Sequence, residues 1–434
     1  MTETVLCVDI GTTSLKAGLI TADGEVVSFS SYDFPNPQDP FVSKQWELGL
    51  KIVITEIQRK IEGEISEGAS GIGIAGRGNG IGGGVGSQFL IKALSISGNG
   101  PTLVSTSGLT VRWNEEEKSP STKKSPSGEA SLHQKTGTSL FIPRILLFQK
   151  KYPEDFAQSK YIFSGPEFVI YKLTNQAVTL LPEKRFIPAY WDDEALTRCG
   201  LPLEKMPPYV NLGQVCGYLT DEVAKNYNLP SGLPVFSAGP DFVAALIGTK
   251  TLKAGRLCDR CGSSEGFNFC LPAFAGGQAA GEATPLDGGS STTEGPATTA
   301  ANGLDLSDFP GVRSLPSVIP GLWNVSLLLP DSSKLSEKAR LDFAKNALAT
   351  LRNLAQKNNT QFPDKMIVTG GQAKDDILMA DKARYLGLKL AVCQSAHAEL
   401  LGDACLAFTA LGKYQTLQDA AENIVREEKI YENL

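Results

Sequence analysis

The chain has 434 residues, 41% of them apolar and 20% charged, which is enough for two or three domains with cores of their own. Its 41 basic and 47 acidic residues leave a formal net charge of −6, and no lysine- or arginine-rich tract occurs, which argues against a non-specific nucleic-acid binder. No apolar run approaches the roughly 18–20 residues of a membrane span, and no basic segment precedes an apolar one at the N-terminus, so the sequence reads as a cytoplasmic protein without a membrane partner.

Residues 5–10 form an apolar run that carries Asp9 near its end, and 15–19 form a second run beyond Gly11-Thr12-Thr13. The pattern predicts a β-hairpin whose tip presents an acid, backbone N–H groups and hydroxyls. Glycine lets the backbone approach a phosphate closely, the two threonines offer donors, and Asp9 can hold a cation. An ordinary Asp-x-Gly hairpin has the same pattern. A third strand is expected over 24–29, after the Asp23-Gly24 turn. Trp46, Leu50, Ile54, Ile57 and Ile61 recur at helical spacing, predicting a helix over 46–61. Residues 71–86, GIGIAGRGNGIGGGVG, are too glycine-dense for a packed element and read as a flexible loop.

Residues 91–97 predict a strand running into Gly98-Asn99-Gly100-Pro101, and loops at strand ends are where α/β sheets hold ligands. A solvated loop is expected over 115–131, and helices over 142–152, 166–173 and 220–227. Residues 233–239 then read as a buried strand, after which Asp241 opens an apolar helix; an acid there also has a plain capping role. Residues 256–270 predict another hairpin, with Gly262-Ser263-Ser264 at its tip. It echoes the first and suggests a repeated domain. Residues 272–303, rich in Gly, Ala, Ser and Thr, read as a disordered linker or loop.

Order resumes at 318–327. An amphipathic helix follows over 336–355, with Leu341, Ala344, Ala347, Leu348 and Leu351 as its inner face. Residues 366–369 form a buried strand leading through Gly370-Gly371 into a helix start, an arrangement that binds phosphates and nucleotides. A last strand and helix, 388–392 and 399–411, complete the α/β pattern. Among the eight cysteines only Cys258-x-x-Cys261, with Cys270 nearby, has suggestive spacing. The two histidines, His133 and His397, are remote in sequence, and buried reduced thiols in strands are the better reading.

Three separated motifs, DIGTTSLKAGL, SAGPDFVAALIGT with CGSSEG, and VTGGQAKDDILMADKARYLG, together resemble the FGGY family of carbohydrate kinases, within the actin/hexokinase-like superfamily, and its xylulokinase-like members in particular. The resemblance implies an α/β fold of two actin/hexokinase-like (ribonuclease-H-like) domains, each a mixed sheet flanked by helices, with an interdomain cleft. Residues 1–248 would be the N-terminal, sugar-binding domain and 249–434 a shortened C-terminal, nucleotide-binding domain. ATP and Mg²⁺ are the implied cofactors, a small sugar the implied substrate, and a homodimer the assembly to be tested.

Carried over by position, Asp9 would organise Mg²⁺ through water. Gly11, Thr12, Thr13 and Lys16 would form the first phosphate loop, and Gly262, Ser263 and Ser264 the second. Gly370, Gly371 and Gln372 would line the adenosine pocket, with Gly402 beneath the base. Asp241 would be the base that accepts a proton from the attacking sugar hydroxyl. The sugar would lie near Trp46, Asn99, Gly100, Trp113 and Asn114, since rings stack on sugar faces and amides read hydroxyls; core packing of Trp46 and Trp113 is an equal alternative.

The chain departs from the family pattern in three places. Asn99-Gly100-Pro101 replaces the more usual Gln-x-His, Glu115-Glu116-Glu117 replaces an acid followed by an arginine, and a stretch after 327–331 is missing. Three functions are therefore expected to compete. One is an ATP-dependent kinase of a pentulose or related sugar or polyol. Another is a catalytically impaired descendant that binds nucleotide or sugar. The third is another ATPase of the superfamily, against which the Gly-Pro-Asp-Phe segment and the serine-rich hairpin speak.

Overall fold

A computed structural model describes residues 1–68, 88–115, 136–262, 264–273, 306–329 and 332–432. The glycine-rich loop expected over 71–86, all but Glu115 of the loop expected over 115–131, Ser263 and residues 274–303 lie outside them. The chain divides into two compact units, Met1–Gly248 with Glu399–Val425, and Thr249–Ala398 with Arg426–Leu434.

The first unit is built on the expected hairpin. Strands β1 (Thr2–Ile10) and β2 (Ser14–Thr21) pair antiparallel with Asp9 opposite Lys16, and β3 (Val26–Asp33) extends the pair. Strand β4 (Phe89–Gly98) runs parallel to β1. Beyond it lie β5 (Gly217–Tyr218) and β6 (Pro234–Pro240), of which β6 is parallel to β4, giving the order β5-β6-β4-β1-β2-β3. Val5, Leu6, Cys7, Val8 and Ile10 are all buried, so both pleat faces of β1 are covered, as its unbroken apolar run requires. Helix α1 (Val42–Gly68) starts before the expected Trp46 and packs the predicted stripe of Trp46, Leu50, Ile54, Ile57 and Ile61 into the core. Phe168, Val169, Ile170 and Leu173 of α2 (Gly165–Thr174) join them. Helix α3 (Asp241–Gly248) follows β6 directly.

In the second unit β7 (Leu257–Cys261) and β8 (Glu265–Pro272) form the second predicted hairpin. Strands β9 (Arg313–Pro316) and β10 (Leu322–Leu329) add antiparallel beside β8, while β11 (Lys365–Thr369) and β12 (Lys389–Cys393) add parallel beside β7. The last strand, β13 (Glu427–Tyr431), closes the order β9-β10-β8-β7-β11-β12-β13. Helix α4 (Glu337–Lys357) buries Ala344, Ala347, Leu348 and Leu351 as expected, but Leu341 is only half-buried. Helix α5 (Asp376–Leu386) is capped by Asp375, whose carboxylate accepts two backbone N–H bonds, and it ends at Gly387 in the left-handed region.

The strand orders β3-β2-β1-β4-β6 and β10-β8-β7-β11-β12 have the same antiparallel and parallel pairings. Each unit is therefore α/β with a mixed sheet, and the repetition read from the hairpins holds across five strands. Helix α6 (Ala398–Ala410) belongs to the first unit from Glu399 onward. None of the eight cysteines is joined in a disulfide, and Cys258 and Cys261 are buried in β7 with their thiols pushed up in pKa by burial. Among the described residues no helix is long and apolar enough to cross a membrane.

Candidate active site

Register decides the geometry of the first unit. Gly98 of β4 stands opposite Ile10 of β1 on one side and Pro240 of β6 on the other, so three neighbouring parallel strands end at one level. Asp9, Asn99 and Asp241 sit at those ends, where open α/β sheets hold their ligands.

Asp9 is buried, and its Oδ2 receives Lys16 Nζ at 3.1 Å. Its Oδ1 is enclosed and has no hydrogen-bond partner. The turn is tight: the Gly11 N–H donates to the Ser14 carbonyl at 2.9 Å, and a Cβ on Gly11 would lie 2.9 Å from that same oxygen. Glycine is needed there for closeness of approach. Thr13 is exposed, with its carbonyl accepting the Phe34 N–H. Thr12 turns elsewhere, its hydroxyl donating to Asn99 Oδ1 at 3.1 Å and accepting from Trp113 Nε1 at 3.2 Å. It thus sides with the residues expected around the sugar.

Half-buried Asp241 opens α3, and its Oδ1 accepts the Phe242 N–H at 2.7 Å. Helix α6 comes close enough to α3 that a Cβ on Gly402 would lie 2.0 Å from the Ala244 carbonyl oxygen. The space beside Gly402 is thus filled by α3 backbone. Next to it, buried Asp403 accepts the hydroxyls of Ser95 and Ser97 from β4, each at 2.8 Å. These contacts fix the first turn of α6, where Glu399 sits in the field of Asp9, Lys16 and Asp241. Asp9, followed by Glu399 and Asp241, raises the pKa of Lys16. Burial, then Asp9, pushes the Glu399 carboxyl up to about 7, against the pull of Lys16. Burial also raises the pKa of Asp403, with the two serines working the other way.

Among the described residues no three His, Cys, Asp or Glu side chains are grouped to hold a metal directly. The unpartnered Oδ1 of Asp9 nevertheless fits a cation held through water, which is the role the sequence suggested.

Beside this edge lies a small recess lined by Thr12, Trp46, Asn99, Arg112 and Trp113 among others. Trp46 packs in the core, the alternative weighed from the sequence, and it also borders the recess. It is 2% exposed within the core, yet its indole N–H has no partner and its ring lines the recess. Gly100 lies off the recess, facing the Pro240 ring, and Asn114 is in the exposed turn beyond Trp113. Arg112 was not singled out by sequence, although it directly precedes Trp113-Asn114.

In the second unit the Gln372 amide ties two turns together. Its Nε2 donates to the Gly262 carbonyl at 3.0 Å, and its Oε1 accepts from Arg340 Nη1 at 2.6 Å. The Gly262 N–H closes the hairpin tip on the Ser264 carbonyl at 2.9 Å. Gly370 has φ 101°, and a Cβ there would lie 2.5 Å from the Cys261 carbonyl oxygen, so only glycine fits. Gly371 is exposed. A second recess of about 200 Å³ is lined by Glu265, Glu337, Arg340, Leu341, Gln372 and Lys382, which accounts for the half-burial of Leu341.

Buried Lys382 bonds Asp259 and also Glu265, the latter at 2.5 Å. Burial opposes the charge of Lys382, but Asp259 and Glu265 outweigh it and hold its pKa up. Burial carries Asp259 up to about 7, with Lys382 pulling it down. Sequence reading passed over this trio, though a lysine between Met379 and Ala383 on the buried face of α5 was a legible signal.

The N-terminal domain of the FGGY family of carbohydrate kinases matches residues 4–248. The chain belongs to this family. The match takes in the β1–β2 hairpin, β4, β6, Asp241 and the Trp-lined recess. Among curated proteins, a xylulose kinase of Klebsiella pneumoniae is 24% identical over 275 residues, which are 59% of this chain and 52% of that relative. The chain thus spans about half the length of that relative. Among solved structures, a ligand-bound xylulose kinase from Lactobacillus acidophilus superimposes with a TM-score of 0.66 at 14% identity, covering 99% of this chain and 94% of the other. A gluconate kinase from the same organism gives 0.67 at 15% identity, covering 100% and 94%. At such identities these two likenesses carry the fold and no more.

Proposed function

We propose that this FGGY chain is an ATP-dependent carbohydrate kinase, transferring the γ-phosphoryl group to a hydroxyl of a pentulose or a related sugar or polyol. The observation that carries the reading is the common level of Asp9, Asn99 and Asp241 at the ends of β1, β4 and β6. Phosphoryl transfer depends on positioning and on neutralising phosphate charge rather than on covalent chemistry by the protein.

Each part of that task has a group here. Asp241 serves as general base: its carboxylate takes the proton of the sugar hydroxyl as the new O–P bond forms and the bond to the leaving ADP oxygen breaks. The backbone N–H groups of Thr12 and Thr13 donate to phosphate oxygens, and that of Ser264 is the corresponding donor of the second unit. Lys16 orients Asp9 through its Oδ2. Mg²⁺, when bound, neutralises phosphate charge, and Asp9 would hold it through water. In the second unit Gln372 locks the turn at Gly370 to the turn at Gly262, which supports their joint use for the nucleotide. Thr12, Trp46, Asn99 and Trp113 orient the sugar, while Trp113 and Asn99 hold the Thr12 hydroxyl in place.

The test is ADP release from Mg-ATP across a panel of ketoses, aldoses, polyols and sugar acids. Stimulation by one of them above the ATP-only rate is the expected result. No stimulation by any, with ATP still bound, would overturn the reading in favour of an impaired descendant that only binds.

A further inference from the structure

The recess of the first unit is unevenly furnished. Trp46 is part of its wall, and the indole N–H of that residue is buried and unpartnered. Asn99 spends its Oδ1 on the Thr12 hydroxyl, leaving its NH₂ as the group on offer. The Thr12 hydroxyl is already used twice, by Asn99 and by Trp113. The remaining charged group of the wall is the Arg112 guanidinium, and no carboxylate lines the recess among the described residues.

Arg112 is also incompletely neutralised. Among the described residues its one ion-pair contact is Glu115 Oε2, at a long 3.7 Å. The other oxygen of that carboxylate is taken by Lys151, and the Glu115 carbonyl accepts from Arg144. Three cations therefore converge on a residue with a single negative charge, and the one nearest the recess has the weakest hold on it. Burial lowers the pKa of Arg144 against the pull of Glu115, but a guanidinium stays charged across the ordinary pH range.

A site with spare donors and a spare cation, and no spare acceptor, suits a ligand group that accepts without donating and carries negative charge. A sugar hydroxyl can accept from these donors but finds no side-chain carboxylate in the wall for its own proton, and it leaves the charge of Arg112 unmatched. We infer that the recess takes the carboxylate of a sugar acid, an open-chain aldonate, and that Arg112 is the residue that selects it over the corresponding neutral polyol. The inference rests on the carbohydrate reading above and narrows its substrate class.

The experiment is calorimetric titration of the intact protein, without nucleotide, with matched pairs of aldonate and alditol: gluconate with glucitol, galactonate with galactitol, xylonate with xylitol. Members of a pair share hydroxyl configuration and differ in the terminal carboxylate. For at least one pair the aldonate is expected to bind about tenfold or more tightly, the scale of a hydrogen-bonded charge pair. Arg112→Leu should shrink that gap to below about threefold, and Arg112→Lys, which keeps the charge, should retain part of it. Trp46→Phe, which keeps the ring and removes the N–H, should weaken the aldonate more than its alditol.

Equal or tighter binding of the alditols, absence of binding by every aldonate, or an unchanged gap in a folded Arg112→Leu would overturn the inference. Aldonate preference without any phosphorylation would instead leave it standing and defeat the kinase reading. Phosphorylation of ketoses or alditols without aldonate preference would do the reverse.

Discussion

Lys16 Nζ lies 3.1 Å from Asp9 Oδ2, across the register of the hairpin that opens the chain. The pair holds one oxygen of a buried carboxylate and leaves the other unpartnered at the end of β1. Removing the cation strands the acid. Lys16→Met is expected to lower the unfolding free energy by about 3 kcal/mol, the scale for breaking a buried pair on one side. Urea unfolding measures it; a loss under 0.5 kcal/mol, on the order of a surface pair, would contradict the burial of Asp9.

Gly402 makes a different demand, for space. With the Ala244 carbonyl oxygen 2.0 Å from where a Cβ would stand, Gly402→Ala must push α6 and α3 apart. Overpacking of this kind costs roughly 1–3 kcal/mol. Because α3 begins at Asp241 and α6 carries Glu399, the substitution should also lower kcat. A variant as stable and active as the parent would mean the helices do not pack as described.

Glu167 tests the pH dependence. Burial raises its carboxyl from 4.5 to about 7, so the fold favours the protonated form. Its contribution to stability is complete below about pH 4.5 and falls away as pH rises toward 7. The loss across that window is about 3 kcal/mol. Its Oε1 accepts the Leu180 N–H at 2.9 Å, a bond that Gln can keep. Glu167→Gln should therefore be flatter with pH than the parent and at least as stable at pH 8. An unchanged slope between pH 5 and 8 would show that Glu167 ionises freely.

Lys382 balances two buried acids in the second unit. Lys382→Met should cost about 3–5 kcal/mol by leaving Asp259 and Glu265 unpaired, whereas adding Asp259→Asn and Glu265→Gln should recover part of that loss. Denaturant unfolding of the single and triple variants decides. A triple variant less stable than the single one would mean that the charges stabilise the unit beyond their mutual pairing.

Much of the fold was legible because apolar period and turn chemistry are local. The two hairpins, the α1 stripe and the Gly370 turn all announce themselves within twenty residues. β13 did not, since Glu427-Glu428-Lys429-Ile430-Tyr431 has no alternating apolar face and is a strand only through its pairing with β12. The site divides in the same way. Asp9, Lys16, Asn99, Asp241 and Gln372 stood in motifs. Arg112, Glu399, Asp403 and Arg340 owe their importance to partners remote in sequence or to the walls they form, as Asp403 does in reaching Ser95 and Ser97. Leu341 was assigned to the core by period alone, which cannot tell a core wall from the wall of a recess.

The central claim is that Asp241 is the base of a phosphoryl transfer to sugar. It is tested most directly by comparing sugar-dependent ADP release for the parent and for Asp241→Asn, a near-isosteric change that can still accept the Phe242 N–H. A fall of about 10²–10⁴-fold in kcat, with nucleotide binding retained, is the predicted result. A variant that turns over within a few-fold of the parent would leave Asp241 as a helix-start residue and the account without its base.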